Sequence, residues 1–165
     1  MRRSTALLAG TLVLLLALAA LFLAGGTLSA RLEATTASAA DYPKAFSAIR
    51  EVLGSGAAPQ VFAGALPQAE ACRLEDVTIT LRNNGLFPAE WLYVQAEPAP
   101  GDIAVYSITG EGGGVAARST GTINLKLVAD ARGSGERAYR IQYYVFGMKR
   151  SITVRPEPGQ SGDGT

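Results

Sequence analysis

The chain has 165 residues, with 15 basic and 14 acidic side chains, one cysteine and no histidine. The absence of histidine excludes Ser–His–Asp and Cys–His nucleophile systems and removes the commonest ligand of zinc, copper and non-haem iron. A single cysteine excludes an internal disulfide. Only Arg2 and Arg3 of the charged residues precede residue 30, so the remainder is near-neutral and has no basic cluster. That balance argues against nucleic acid as a partner.

The first element in chain order is an uncharged, mainly apolar run that follows Arg2 and Arg3. A membrane-spanning helix needs about 20 such residues, and Ala6 to Gly25 meets that length. Because positive residues stay on the cytoplasmic side, we expect residues 1–26 to form a signal-anchor with a cytoplasmic N-terminus and an extracytoplasmic remainder. The alternative is a cleaved secretory signal, which would release the same domain as a secreted protein.

Residues 27–57 are predicted to be a juxtamembrane linker and one short helix. Leu28 to Ala40 is rich in Ala, Thr and Ser, which indicates a linker or a continuation of the anchor helix. The segment from Asp41 to Leu53 predicts an amphipathic helix, because Asp41 can cap it and Pro43 suits its first turn. One face of that helix is apolar, at Phe46, Ile49, Val52 and Leu53. This apolar face either packs on the protein's own domain or binds a partner protein.

Residues 58–155 change to a period-two alternation of apolar and polar side chains, which is the pattern of half-buried strands. Six or seven short strands with turn signals between them predict an all-β, Ig-like antiparallel β-sandwich. Asn83 to Gly85 predicts a tight turn, since Asn and Gly accept positive φ. The Gly/Pro-rich tail, residues 156–165, should be disordered. We expect seven residues to point into the core: Val77, Ile79, Leu81, Ile123, Leu125, Tyr139 and Ile141.

The segment Val77 to Gly85 reads V-T-I-T-L-R-N-N-G and resembles the first core strand and turn of bacterial Ig-like extracytoplasmic modules of the CARDB type. Gly121 to Val128 and Ala138 to Val154 could fill the places of that family's later strand and closing hairpin. The resemblance covers Leu74 to Val154. It implies a sandwich fold and a non-catalytic spacer or binding role, and it supplies no functional residues. An exported small domain without disulfides also suits a bacterial envelope.

Four aromatic residues, Trp91, Tyr93, Tyr144 and Phe146, form the candidate surface for a ligand or partner. Trp91 and Tyr93 share one face of a predicted strand, and Tyr144 and Phe146 alternate with apolar neighbours on another. The competing interpretation of Trp91 is core packing, since Ig-like sandwiches often bury a tryptophan on this strand. No residue spacing predicts a catalytic site, a metal site or a cofactor.

The sequence therefore predicts a membrane-anchored structural or protein-interaction module whose partner is another envelope protein. Two other function classes stay open. The first is a carbohydrate-binding module, which exposed Trp91 and Tyr93 would favour. The second is a carboxylate-based hydrolase, which would need acids that converge in a cleft. The densest acidic group for such an enzyme is Glu70, Glu75 and Asp76.

Overall fold

The computed structural model describes residues 10–20, 28–133 and 136–156 of the chain. Within these residues eight strands form two antiparallel sheets, ordered β1-β3-β6-β5-β2 and β4-β7-β8, so the domain is a two-sheet β-sandwich. Residues 10–20 form helix α1, and Pro43–Gly54 form helix α2. The strands are β1 Leu28–Ser38, β2 Gln60–Val61, β3 Cys72–Asn83, β4 Glu90–Glu97, β5 Asp102–Thr109, β6 Thr120–Asp130, β7 Ala138–Val145 and β8 Met148–Val154.

The predicted core is confirmed. All seven residues expected to point inward are at most 1% exposed, and they belong to one apolar cluster between the two sheets. The period-two pattern locates them because successive side chains on a strand point to opposite faces, and only one face of each sheet meets the other sheet.

The predicted linker between Leu28 and Ala40 is wrong for Leu28–Ser38, which form the edge strand β1. β1 pairs with β3 without a register shift, from Leu28 opposite Asn83 to Ser38 opposite Arg73. Its apolar positions are mostly alanine, so the alternation is weak in the sequence. Pairing with β3 and burial of two leucines, Leu28 and Leu32, against the core stabilise a strand that propensity alone does not specify.

The predicted amphipathic helix is confirmed as α2. It packs on its own domain: Phe46 and Ile49 are 4% and 2% exposed and lie in a second apolar cluster with Cys72, Ile103 and Val128. Pro43 is in the first turn, but the capping role predicted for Asp41 is wrong. Asp41 ends a short 3₁₀ turn, and the N-cap is Tyr42, whose side chain makes no capping hydrogen bond.

Two predictions fall largely on residues outside the described ranges. Of the predicted spanning run, residues 10–20 are described; they are helical, and every side chain among them is exposed. Within the described residues, no helix is both long and apolar enough to cross a bilayer. The predicted disordered tail lies outside the described residues except for Pro156.

The outer edge of β4 is closed by side chains and by the β5–β6 loop, where Gly112 donates to and Gly113 accepts from the Leu92 backbone, rather than by another strand. The Gln60 side-chain amide donates to the Val94 carbonyl at 3.2 Å, and its carbonyl accepts from the Ala96 amide at 3.0 Å. The Glu111 carboxylate accepts from the Val94 amide at 2.5 Å. Satisfying an edge in this way prevents unwanted pairing with other chains, so we do not expect partners to add a strand to β4.

Candidate functional site

The structure exposes three of the four predicted surface aromatics. Trp91 is 68% exposed, Tyr93 55% and Phe146 53%, whereas Tyr144 is half-buried. The core-packing interpretation of Trp91 is therefore wrong. Large aromatic side chains exposed close together on a small domain indicate an interaction surface more strongly than scattered ones do.

Trp91 is outside the core because it shares the outward face of β4 with Tyr93, whereas Leu92, Val94 and Ala96 point inward, and it also lies at a bulge in this strand. On the partner strand β7, Tyr144 pairs with Glu90 and Gln142 pairs with Tyr93. Two residues of β4 but only one residue of β7 lie between these pairs, so β4 has one extra residue here. Trp91 is at the bulge with φ 54°, in the left-handed region. That conformation costs a non-glycine residue about 1 to 2 kcal/mol, and glycine is the usual occupant of such a bulge. The strain is consistent with a functional constraint on this side chain.

Phe146, in the β7–β8 turn, also has a left-handed backbone conformation. Val145 pairs with Met148, so Phe146 and Gly147 are the two turn residues, with φ 51° and 70°. Positive φ at both positions defines a type I′ turn, which normally takes Asn-Gly or Gly-Gly. The Phe146 ring meets the Phe87 ring edge-to-face with centroids 4.3 Å apart. Sequence reasoning missed Phe87 because it lies in a loop, where no alternation reveals which way a side chain faces.

Strand pairing and alternation place Trp91, Tyr93 and Tyr144 on one side of the three-stranded sheet, and Phe146 lies in the adjoining β7–β8 turn. Tyr93 on β4 is opposite Gln142 on β7. Tyr144 lies two residues further along β7, and so its side chain is on the same face as that of Gln142. The face directed away from the core thus carries aromatic side chains alternating with amides. We call Trp91, Tyr93, Gln142, Tyr144 and Phe146 the aromatic face.

The loop beneath Phe146 is held by one buried side chain, Asn83. Its amide donates to the Phe87 carbonyl at 2.8 Å and the Val115 carbonyl at 3.0 Å, and its oxygen accepts from the Gly85 amide at 2.9 Å. The turn predicted here is present, but its reason differs: Gly85 is not among the described glycines with positive φ. The Asn83 side chain replaces backbone partners and orders the loop that carries Phe87.

A buried charge cluster lies away from the aromatic face and was not predicted. The Arg137 guanidinium donates to both Asp102 carboxylate oxygens, to Glu75 and, at 3.4 Å, to the Tyr139 hydroxyl. Arg73 donates to the other Glu75 oxygen at 2.6 Å. Arg137, Glu75 and Asp102 are 3%, 3% and 7% exposed. Both carboxylates are thus buried and hydrogen-bonded to arginine in the interior of the domain. Glu70 and Asp76 are exposed elsewhere.

The strand pattern contained a signal for this cluster. Glu75 continues the inward series of Val77 and Ile79 towards the start of β3, and Arg137 precedes Tyr139 by two residues. Because each charged residue is an even number of positions from inward-facing residues of β3 or β7, both side chains point inward. A buried charge without a partner is costly, so the two opposite charges are expected to pair. In the folded protein burial disfavours the charge on Arg137, but the hydrogen bonds that its guanidinium donates to Asp102 and Glu75 outweigh this and raise its pKa.

Raising the pH should destabilise the fold through Tyr139. Burial raises the pKa of Tyr139 to about 12 from its ordinary 10, although Arg137 partly opposes the shift. Above pH 10 the unfolded chain loses the phenolic proton, whereas the folded chain keeps it until the pH approaches 12. The contribution of this group to stability is therefore constant below pH 10 and is lost as the pH rises towards 12. We expect the free energy of unfolding to fall by about 1 kcal/mol from this group between about pH 9 and about pH 11.

Urea unfolding at the two pH values measures this loss, and Tyr139→Phe is the matched variant, because it has no proton to lose. The variant should show a smaller fall than the native chain. Some fall should remain in both proteins, because burial and then the Asp76 charge raise the pKa of half-buried Tyr106 to about 12 as well. Equal falls in the two proteins would contradict the assignment to Tyr139.

The remaining chemistry of the described residues is limited. An open groove of about 270 Å³ lies between the end of β1 and the 3₁₀ turn before β3, lined by Cys72, Arg73, Glu70 and Ser38 among others. Burial, followed by the nearby Asp130 charge, raises the pKa of the Cys72 thiol, which disfavours the reactive thiolate. No group of three His, Cys, Asp or Glu side chains among the described residues is placed to hold a metal ion.

No protein-family model matches the chain, and no curated protein matches it. Among solved structures it is similar to the GAE domain of yeast GGA1, at 11% identity and a TM-score of 0.35, over 56% of this chain and 96% of that one. It is also similar to a FixG-related protein from Vibrio parahaemolyticus, at 13% identity and 0.31, over 50% and 75%. A third is the cupredoxin domain of amoB from Nitrosocaldus yellowstonii, at 15% and 0.32, over 86% and 96%. Likeness this remote indicates no function.

Proposed function

We propose that this chain is a single-pass membrane protein of a bacterial envelope, with a cytoplasmic N-terminus and an extracytoplasmic Ig-like β-sandwich that binds another envelope protein. Helix α1 supports the anchor. Its described residues are uncharged, and large apolar side chains such as Leu12 and Leu16, at 59% and 61%, are exposed on it. A helix that is apolar all round is expected inside a large core or a membrane, and Arg2 and Arg3 before the run favour the stated orientation.

The exposed aromatic face is the observation that carries the binding role. Tyr93, which shares the outward face of β4 with Trp91, is 55% exposed, and Trp91 and Phe146 are both more than half exposed in left-handed backbone conformations. A side chain held outward at a cost in stability is expected where it contacts something else. Aromatic residues are enriched at the centres of protein interfaces, where they bury large apolar area.

The proposed role is binding rather than catalysis. The chain has no histidine to gain and lose a proton near neutral pH. The converging carboxylates of Glu75 and Asp102 are hydrogen-bonded to Arg137 inside the domain, where they stabilise the fold. The resemblance of Val77 to Gly85 to CARDB-type modules also favours a non-catalytic role.

Photo-crosslinking in native membranes tests the partner. A photoreactive phenylalanine analogue at position 93 should give a discrete adduct with one envelope protein after irradiation. The same analogue at position 80 is the matched control, because Thr80 is exposed on β3 in the other sheet. Tyr93→Ala should reduce recovery of the partner with the unmodified chain. If position 93 gave no more adduct than position 80, the aromatic face would not be the partner's binding site.

Carbohydrate binding is the second candidate, because Trp91 and Tyr93 are exposed and Tyr93 is paired with an amide side chain, Gln142. Aromatic rings offer flat apolar surfaces to a sugar, and the amide offers hydrogen bonds. A soluble cell-wall glycan that bound the purified protein, and that lost binding with Tyr93→Ala, would favour this candidate over the protein partner.

A further inference from the structure

One end of the sandwich collects several loops together with the start of β1. Leu28 begins β1 opposite Asn83, the last residue of β3. The β3–β4 loop meets the β5–β6 loop through two hydrogen bonds between Ala89 and Val115, at 2.9 and 2.7 Å. The β7–β8 turn joins them through the contact of Phe146 with Phe87. We call this end, formed by residues 28–29, 82–91, 109–120 and 145–149, the proximal tip.

Exposed apolar side chains are concentrated at the proximal tip. Four of the large hydrophobic residues exposed on the sandwich lie there: Leu86 at 46%, Trp91 at 68%, Phe146 at 53% and Met148 at 37%. They come from a loop, a bulge, a turn and the start of β8, so they are not one face of a single regular strand. The backbone strain at Trp91 and Phe146 falls at this end as well.

The exposed charge of the proximal tip is mainly positive. Arg82, Arg118 and Lys149 are exposed and form no ion pair with any described residue. The acidic residues at this end are Glu90, which is exposed, and Glu111, which accepts a hydrogen bond from the Val94 amide. Aromatic and apolar side chains surrounded by Lys and Arg are typical of surfaces that enter the headgroup region of an anionic membrane.

The chain itself places this end close to the proposed anchor. Seven residues, 21–27, lie in the sequence between the last described residue of helix α1 and Leu28. A chain extends at most about 3.6 Å per residue, so seven residues reach about 25 Å. With the spanning run continuing to Gly25 as the sequence predicts, only two residues would separate the membrane from β1. The tip that carries the start of β1 is therefore the part of the domain nearest the lipid.

We propose that the proximal tip rests on the lipid surface, with Trp91, Phe146 and Leu86 inserted among the headgroups and Arg82, Arg118 and Lys149 against anionic phosphates. This inference rests on the proposed membrane anchor and divides the aromatic face. Trp91 and Phe146 contact lipid, whereas Tyr93, Gln142 and Tyr144 stay above the membrane for the partner. The tip contact fixes the orientation of the domain relative to the membrane.

Trp91 is the only tryptophan of the chain, so its fluorescence reports on the tip alone. The full-length protein is reconstituted into vesicles of phosphatidylethanolamine and phosphatidylglycerol, with or without lipids brominated near the headgroup end of the acyl chain. We expect strong quenching of Trp91 by the brominated lipid. We also expect several-fold weaker quenching by acrylamide than for a control protein with Trp91→Phe and Val61→Trp. Val61 is 55% exposed on β2, away from the tip.

A second variant, Leu86→Ser with Phe146→Ser, should restore acrylamide access to Trp91, and a thermal melt checks that it remains folded. Lipid anchoring is measured separately, by alkali-resistant flotation and N-terminal sequencing. If the uncut chain floated with vesicles but Trp91 were as accessible as the control tryptophan, the tip proposal would be wrong and the anchor would stand. Protection of Trp91 without quenching by brominated lipid would also overturn it, in favour of contact with a second copy. A chain that is cut near Gly26, does not float and is not quenched would overturn both.

Discussion

Replacing Arg137 with methionine is expected to lower the free energy of unfolding by about 3 to 5 kcal/mol, because removing one partner of a buried ion pair leaves an uncompensated charge in the interior. Asp102 would keep only the hydrogen bond from the Ala99 amide, at 2.7 Å. Glu75 would keep Arg73. The loss is a large fraction of the stability of about 5 to 15 kcal/mol typical of a domain. Urea unfolding of the full-length protein measures it.

Two variants separate the buried charge from a general effect of losing arginine. Arg140→Met removes an exposed ion pair with Glu97, whose side chains are 51% and 41% exposed, and should cost no more than about 1 kcal/mol. Asp102→Asn combined with Arg137→Met should be less destabilised than Arg137→Met alone, since the stranded carboxylate is gone. If the double variant lost as much free energy of unfolding as the two single variants lose together, the unpaired charge would not be the cause.

Replacing Ile79 with alanine is expected to cost about 2 to 5 kcal/mol, the range for deleting a large buried aliphatic side chain. Ile79 is fully buried on the central part of β3, between Leu32 on β1 and Ile123 on β6. The cavity would open inside the main apolar cluster, where three strands and the opposite sheet restrict collapse. The expected result is a clear fall in both the melting temperature and the urea midpoint.

The neighbouring Thr80→Ala is the matched control, because Thr80 is exposed on the same strand and should change stability by about 0.5 kcal/mol or less. Equal losses from the two variants would show that the inward face of β3 has been assigned to the wrong residues. Both measurements need a chain that includes β1. A protein beginning at Asp41 would lack Leu32 and would expose the whole edge of β3.

The sequence by itself determined the class of fold and most of its core. Period-two alternation locates Val77, Ile79 and Leu81 because strand geometry leaves no other way to bury them together. The same local logic located α2, whose apolar side chains recur at helical spacing, and it singled out Trp91, Tyr93, Tyr144 and Phe146 as candidates. In each case the information is carried by residues close together in the chain.

Tertiary structure alone decided the features that depend on distant neighbours. β1 is a strand because β3 offers a free edge beside it, although its own alanine-rich sequence specifies little. The left-handed backbone of Trp91 falls where β4 and β7 differ by one residue in their pairing, which no pattern within β4 reveals. The Arg137 cluster joins three segments, near residues 75, 102 and 137, and Phe87 in the β3–β4 loop meets Phe146 in the β7–β8 turn. Such contacts depend on which strands are neighbours, and the alternation of apolar residues within one strand does not encode that choice.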